Sequence, residues 1–258
     1  MFDGTYGTSN VPSSSGSSGG GGGSSSGGSG GAGGSGGGTT VKPDDNKDDE
    51  TTKPDDNKDN EVVIPPVDVV TPSFTDVNEG DWFFEYVEAL LKKGIVSGDG
   101  SGKFSPTDNV TREQFLKMLV EAADIDAEEA ENIFADVADD AWYTPYVLKA
   151  KNFGIVNGVS DTEFGIGSNI TRQDMAVMIT RTFENLDIEI SGNDTEDFAD
   201  ADKVSSYAKE SVAFMKSIGL IEGYNNEYRP LDNLTRAEAS KVICGVLNLI
   251  EIANDNVE

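Results

Sequence analysis

The sequence contains no histidine, a single cysteine and no apolar run long enough to span a membrane. Without histidine, the chain has neither the usual general base near neutral pH nor the commonest metal ligand. The cysteine, Cys244, lies in an apolar run without a basic neighbour, which favours a small buried hydrophobic residue over a reactive thiol. One cysteine also excludes a disulfide framework and a cysteine-based metal site. We therefore expect no catalytic residue, no cofactor and no metal site.

Basic residues are also scarce, with 19 lysines and arginines against 47 acidic residues and a net charge of −28. The excess of acidic residues extends over the whole chain: residues 1–71 carry 4 lysines against 11 acidic residues, and the remainder carries 15 basic residues against 36 acidic ones. Such a field repels a nucleic acid and an anionic membrane surface. We therefore expect neither as a partner, and an anionic ligand must be bound by a local basic group.

Residues 1–71 contain almost no large apolar side chains before Val62. Residues 12–38 are nearly pure glycine and serine, and residues 42–61 contain the heptapeptide Lys-Pro-Asp-Asp-Asn-Lys-Asp twice. The first composition is typical of a flexible coil and the second of an extended, solvated spacer. We predict a disordered linker that tethers the rest of the chain to an upstream cargo. Residues 1–30 lack the pattern of a signal peptide, so we interpret the chain as a fragment or as truncated at its start.

The remaining residues repeat one pattern three times. The pair Thr-Arg lies 37 residues after the phenylalanine of a Phe-x-Asp triplet in each copy. Repetition at this period predicts units that bury their faces on one another. The phenylalanines are Phe74, Phe134 and Phe198, and the predicted repeats span residues 72–126, 127–190 and 191–258.

Each repeat predicts two main helices. The first begins near an aromatic residue and ends at a glycine, which is the expected helix stop; these glycines are Gly94, Gly154 and Gly219. The second begins at the threonine of the Thr-Arg pair, where a capping box is possible, and continues with apolar residues at helical spacing. We predict an all-α domain whose three repeats pack around a pseudo-threefold axis with a central helical bundle. A single chain would then be a monomeric pseudo-trimer. Residues 127–133 are a candidate for an extra short helix.

Three of the five arginines occupy the same position, in the first turn of each second helix: Arg112, Arg172 and Arg236. A cation is unfavourable there by about 0.3–1 kcal/mol because the helix dipole is positive at that end. Together with free helix N–H groups, the guanidinium could bind a carboxylate or phosphate. The alternative is a structural ion pair between repeats, for example with the repeated aspartates Asp76, Asp136 and Asp200.

The aromatics that start the first helices are Trp82, Trp142 and Tyr207. They are candidates either for core anchors or for a platform that contacts the face of a sugar. A second repeated glycine follows each first helix, at Gly98, Gly158 and Gly223. The simplest interpretation is a turn residue with positive φ, and the alternative is close approach of the backbone to a ligand.

The segments Asp81–Val87, Gly94–Gly98 and Val110–Glu113 of the first repeat resemble the S-layer homology domain. The second repeat matches through Trp142-Tyr143 and Ile170-Thr171-Arg172, and the third best through Leu234-Thr235-Arg236-Ala237-Glu238. The resemblance covers about residues 72–250, and it implies a bundle of three repeats with ligand grooves between neighbours. Gln114 and Asp174 replace the glutamate of the family motif, and Tyr207 replaces tryptophan.

The resemblance implies a non-catalytic module that binds secondary cell-wall polysaccharide, often carrying pyruvate ketals, and that anchors a protein in the cell wall or S-layer outside a bacterium. It implies that the arginines meet the ketal carboxylate, and that the repeated aromatics and glycines line the same grooves. Two other functions stay open at this point. One is a module for protein–protein or S-layer lattice assembly, and the other, which we disfavour, is an enzyme acting on wall glycan.

Overall fold

A computed structural model describes residues 73–193 and 195–255. The predicted linker over residues 1–71 lies outside the described residues. The two described ranges contain six α-helices: α1 (Phe84–Lys92), α2 (Arg112–Ala122), α3 (Thr144–Asn152), α4 (Arg172–Asn185), α5 (Lys209–Ser217) and α6 (Arg236–Asp255). Among the described residues there is no β-strand longer than an isolated bridge, so the predicted all-α class is confirmed. None of these helices is long and apolar enough to cross a membrane.

The helices begin and end close to where the sequence predicts. Glycine follows each first helix in the left-handed region, with φ of 76° at Gly94, 87° at Gly154 and 72° at Gly219. Each second helix starts at the arginine directly after its threonine. In α6 the backbone N–H of Thr235 donates to Glu238 Oε2, and the N–H of Glu238 donates to Thr235 Oγ1. This is the reciprocal capping box that the motif predicts.

The first helix of each repeat packs against the second helix of the preceding repeat. Helix α3 packs on α2, α5 packs on α4, and α1 closes the cycle by packing on α6. The second helices also contact one another, because α2 packs against both α4 and α6. The chain therefore buries its amphipathic helices between repeats rather than within them.

A closed ring of backbone hydrogen bonds joins the three repeats just before the second helices. The N–H of Val110 donates to the carbonyl of Leu234, Leu234 donates to Ile170, and Ile170 donates back to Val110, with N···O distances of 2.9, 3.0 and 3.0 Å. All three side chains are completely buried. The ring is the pattern that the predicted threefold arrangement requires, although the pseudo-threefold axis itself stays a prediction.

Of two further local predictions, one is wrong and one is confirmed. The extra helix expected over residues 127–133 is wrong: residues 125–134 are irregular, and their backbone is held by a bond from Ala130 N to Leu148 O and by the side chain of Asn132. Cys244 is completely buried, as its apolar surroundings predict, and burial raises the pKa of its thiol to about 12.

The third repeat accommodates its length changes locally. Two 3-10 turns, Ala201–Lys203 and Ser206–Ala208, precede α5 where the repeat carries one additional residue. Its shorter loop is a tight turn in which Asn225 and Asn226 have φ of 52° and 61°, between the bridged residues Tyr224 and Glu227. Asparagine tolerates this left-handed conformation, so the turn forms without the glycines of the other repeats.

Candidate functional site

The three repeated arginines lie where one repeat meets the next. The backbone N–H of each donates to a loop carbonyl of the following repeat: Arg112 to Ser168, Arg172 to Asp232, and Arg236 to Asp108 of the first repeat. The distances are 2.9, 3.0 and 2.9 Å. These bonds correct the expectation of free helix N–H groups, because a neighbouring loop already accepts the first N–H group of each second helix. An anion at this position must be bound by side chains.

Each arginine side chain packs on the aromatic residue that closes the next loop. The Nε atoms of Arg112, Arg172 and Arg236 donate to the carbonyls of Phe164, Tyr228 and Phe104, at 3.2, 2.9 and 2.7 Å. Each guanidinium carbon also lies over the ring of the same aromatic residue, 5.3, 5.1 and 4.4 Å from its centroid. The carbonyl bond and the cation–π contact fix the arginine while leaving its terminal nitrogens for other partners.

The carboxylates near the arginines are not those that the sequence suggested. Arg112 Nη1 lies 3.5 Å from Asp174 Oδ2, and Arg172 Nη1 lies 3.0 Å from Glu238 Oε1. Both carboxylates are three residues after the threonine that caps the helix of the next repeat. At the corresponding position beside Arg236 the chain has Gln114, and among the described residues no carboxylate lies within 4.0 Å of that guanidinium. The structural ion pair thus exists for two of the three arginines.

The repeated aspartates instead hold the loops. Asp76 accepts the backbone N–H groups of Phe104 and Ser105, and Asp136 accepts those of Phe164, Gly165 and Ile166. Asp200 accepts the N–H groups of the corresponding pair in the third repeat, Tyr228 and Arg229. Partial burial alone would raise the pKa of these carboxyls, but the backbone hydrogen bonds lower it below its ordinary value. The alternative of a structural ion pair therefore does not involve these aspartates, and that part of it is wrong.

The aromatics that precede the first helices lie on the surface. Trp82 is 58% exposed, Trp142 52% and Tyr207 46%, so their interpretation as core anchors is wrong. The two tryptophans pack edge-on against the next aromatic residue of the chain, Phe83 and Tyr143. Large rings held on a surface in this way present an apolar face together with a polar edge.

The second set of glycines is explained mainly by packing. Only Gly158 has a positive φ, 91°, so the expected left-handed turn is wrong for Gly98 and Gly223. A Cβ atom at Gly98 would lie 2.6 Å from Phe74 Cε1 and 2.7 Å from the carbonyl oxygen of Lys103. The corresponding phenylalanine also limits the space at the other two glycines. The phenylalanine of each Phe-x-Asp triplet therefore needs a glycine in the loop that covers it.

Two grooves combine these features, and each is built from all three repeats. The first is a cavity of about 460 Å³ that contains Arg236, the loop from Ile95 to Asp99, Gln114 and Lys117 of α2, and Trp142. The second is a cavity of about 290 Å³ that contains Arg172, the loop from Leu220 to Tyr224, Glu238 and Lys241 of α6, and Trp82. In both, an arginine, the glycine loop of the next repeat and a tryptophan of the repeat after that converge.

The third set of equivalent residues is linked directly. Tyr207 donates its hydroxyl to Asp174 Oδ1 at 2.7 Å and accepts a hydrogen bond from Gln173 Nε2 at 3.1 Å. Asp174 is also the ion-pair partner of Arg112, which is buried. Burial, followed by the bond to Asp174, raises the pKa of Tyr207, so this hydroxyl remains a donor at neutral pH.

Sequence reasoning identified the arginines but missed the residues that distinguish their surroundings. Gln114, Asp174 and Glu238 were interpretable only as helix caps, and Lys117 and Lys241 gave no signal beyond their helical position. The sequence did contain one signal, at the position three residues after the repeated threonine. That residue is acidic in two repeats, as Asp174 and Glu238, and neutral in the other, as Gln114.

Comparison with known proteins gives one family. The model of the S-layer homology domain matches residues 73–116, 133–176 and 197–240. An endoglucanase from Bacillus sp. (strain KSM-635) is 34% identical over 176 residues, which cover 67% of this chain and 18% of the relative. The S-layer protein sap of Bacillus anthracis is 26% identical over 182 residues, or 70% of this chain and 22% of the relative. The surface-layer 125 kDa protein of Lysinibacillus sphaericus is 34% identical over 139 residues, or 54% and 11%. The chain thus spans less than a quarter of the length of each of these proteins.

Proposed function

This chain belongs to the S-layer homology domain family, a family of cell-surface anchoring modules, and we propose that it binds secondary cell-wall polysaccharide in the grooves between its repeats. The observation that carries the proposal is the convergence of an arginine, a glycine loop and a half-exposed tryptophan in one groove, which occurs at Arg236 and again at Arg172. The tryptophan face suits a sugar ring, and the guanidinium suits a carboxylate such as that of a pyruvate ketal.

The remaining residues are consistent with a binding role without catalysis. Each repeated aspartate is occupied by backbone N–H groups, and these bonds keep the carboxyl ionised instead of raising its pKa as a general acid requires. We propose that the module holds an attached cargo in the wall or S-layer at the surface of a bacterium. The S-layer and surface-layer names of two relatives support that location.

The test is co-sedimentation of the full chain with purified walls of Lysinibacillus sphaericus and of Bacillus sp. strain KSM-635. Walls are compared before and after chemical removal of the polymers other than peptidoglycan. We expect binding to intact walls and its loss after stripping. Binding that survives stripping would identify peptidoglycan as the ligand, and absence of binding to either wall would overturn the proposal.

Variants connect this binding to the grooves. Arg172→Ala and Arg236→Ala each remove a guanidinium, whereas the matched control Lys209→Ala removes an exposed positive charge from α5 that lines neither groove. We expect at least one arginine variant to bind several-fold more weakly than the control, with unchanged helical circular dichroism. Sedimentation velocity without walls tests the alternative of lattice assembly, which predicts self-association that rises with protein concentration.

A further inference from the structure

We infer that the groove at Arg236 is the principal anion-binding groove, and that the residue three positions after each repeated threonine decides which groove accepts an anion. The inference rests on the proposed function, and it adds a specificity-determining residue, Gln114, and an unequal division of roles among the grooves. It follows from the charges that face each arginine.

Two of the arginines already have an internal anion. Glu238 Oε1 lies 3.0 Å from Arg172 Nη1, and Asp174 Oδ2 lies 3.5 Å from Arg112 Nη1. All four side chains are at most 29% exposed, so water screens these pairs less than it screens surface pairs. A ligand carboxylate at either arginine must displace the internal carboxylate or lie beside it, and both cost binding free energy.

Arg236 differs because its partners are neutral. Nε donates to the carbonyl of Phe104 at 2.7 Å and Nη2 donates to the carbonyl of Ser97 at 2.9 Å. Among the described residues, Nη1 has no hydrogen-bond acceptor and no carboxylate lies within 4.0 Å of the guanidinium. Carbonyl oxygens orient the guanidinium without cancelling its charge, so a ligand anion does not have to displace an ion-paired carboxylate from this arginine.

The neighbouring lysines also differ in their partners. Lys117 in the Arg236 groove pairs with Glu121 within its own helix, at 3.3 Å, and Glu121 does not line that groove. Lys241 in the Arg172 groove instead pairs at 3.3 Å with Glu222, a loop carboxylate that lines the groove itself. Serine occupies the loop position of Glu222 in the first repeat, as Ser97. The Arg172 groove therefore contains two carboxylates that pair with its cations, and it also contains Arg229, whose partner at 3.5 Å is Asp232.

Two acidic residues, Asp99 and Asp108, also line the Arg236 groove, but neither carboxylate lies within 4.0 Å of the guanidinium. The carboxylate of Asp99 accepts hydrogen bonds from Ser101 N and Oγ, at 2.8 and 2.7 Å. Asp108 is exposed, and its backbone carbonyl accepts the N–H of Arg236. The cavity is also larger, about 460 Å³ against 290 Å³, and Trp142 at its edge offers a face for the sugar that carries the anion.

The decisive variant is Gln114→Glu in the full chain. It places a carboxylate at the position that Glu238 occupies beside Arg172, and glutamate caps the helix there as glutamine does in α2. We expect the dissociation constant for walls of Lysinibacillus sphaericus to rise at least tenfold, with unchanged unfolding midpoint and circular dichroism. The reciprocal variant Glu238→Gln removes the internal anion from Arg172, and we expect the wall capacity for protein, or the affinity, to increase.

A charge control completes the design. Walls whose carboxylates have been amidated with ethanolamine should bind the wild-type chain and Gln114→Glu equally weakly, because the variant acts only on an anionic ligand. If the wild-type chain binds intact walls and Gln114→Glu binds them equally well, the inference is overturned while the proposed function stands. If the wild-type chain binds no wall, the proposed function itself fails.

Discussion

Alanine substitutions at Gly94, Gly98 and Gly158 should distinguish two costs to the unfolding free energy, that of a left-handed backbone and that of steric crowding around the new Cβ atom. Gly94 has a positive φ of 76° and open space around a would-be Cβ, so Gly94→Ala costs only the left-handed conformation, about 1 kcal/mol. Gly98 has no such strain, but its Cβ would lie 2.6 Å from Phe74 Cε1 and 2.7 Å from Lys103 O. Gly158 combines a φ of 91° with a Cβ only 2.5 Å from Glu163 O.

The expected loss of stability for Gly98→Ala follows from how far the neighbouring atoms must move to accommodate the new Cβ. Ordinary contacts of a Cβ atom begin near 3.4 Å, so the Phe74 ring and the Lys103 carbonyl must each withdraw by several tenths of an ångström. That carbonyl accepts the N–H of Asp99, so the shift also weakens a loop hydrogen bond. Overpacking of this kind costs about 1–3 kcal/mol, and the lower entropy of the unfolded alanine chain returns about 0.4–1 kcal/mol. We expect a net loss of about 1.3 kcal/mol for Gly98→Ala and about 2.3 kcal/mol for Gly158→Ala, against about 0.3 kcal/mol for Gly94→Ala after the same entropy term.

The assay is urea unfolding of the full chain, followed by circular dichroism at 222 nm, with the unfolding free energy taken from linear extrapolation. Because Gly98 also lines the Arg236 groove, its variant should bind walls more weakly than Gly94→Ala does. If Gly98→Ala unfolds at the same urea concentration as Gly94→Ala or at a higher one, the loop does not pack closely on Phe74. The explanation of the repeated glycine would then be refuted.

Two further predictions concern titration and reactivity. The carboxyl pKa of Asp136 is lowered below its ordinary value of 3.8, so its contribution to stability should be complete above that value and should disappear as the pH falls through the lowered one. Unfolding free energy measured between pH 6 and pH 2 should therefore fall less steeply for Asp136→Asn than for the wild-type chain, and equal slopes would contradict the hydrogen-bonded carboxylate. The thiol of Cys244, whose pKa burial raises to about 12, should react with Ellman's reagent at pH 8 only after denaturation, and rapid labelling of the native chain would contradict its burial.

Local features of this chain were predictable because they depend on neighbours along the sequence. Helix ends follow from threonine, glycine and apolar spacing within about a dozen residues, and those signals placed the starts of α2, α4 and α6 and the stops at Gly94, Gly154 and Gly219. The expected helix over residues 127–133 failed because that segment is held by tertiary contacts, such as the bond from Ala130 to Leu148. A specific role for the three repeated arginines was also predictable, since a cation at the positive end of a helix is unfavourable unless another interaction stabilises it.

The sequence by itself determined an all-α chain of three repeats, with one arginine at the start of each second helix. Only the tertiary structure decided what each arginine faces, because its partners come from other repeats, 52 residues away for Arg112 and 132 for Arg236. Cyclic packing brings the loop of one repeat and the tryptophan of another to the same guanidinium. In the same packing, the first N–H group of each second helix donates to a loop carbonyl of another repeat. This packing also means that a single change, Gln114 in place of an acidic residue, leaves one of the three guanidinium groups without an ion pair among the described residues, since electrostatic effects depend on distance in space rather than along the chain.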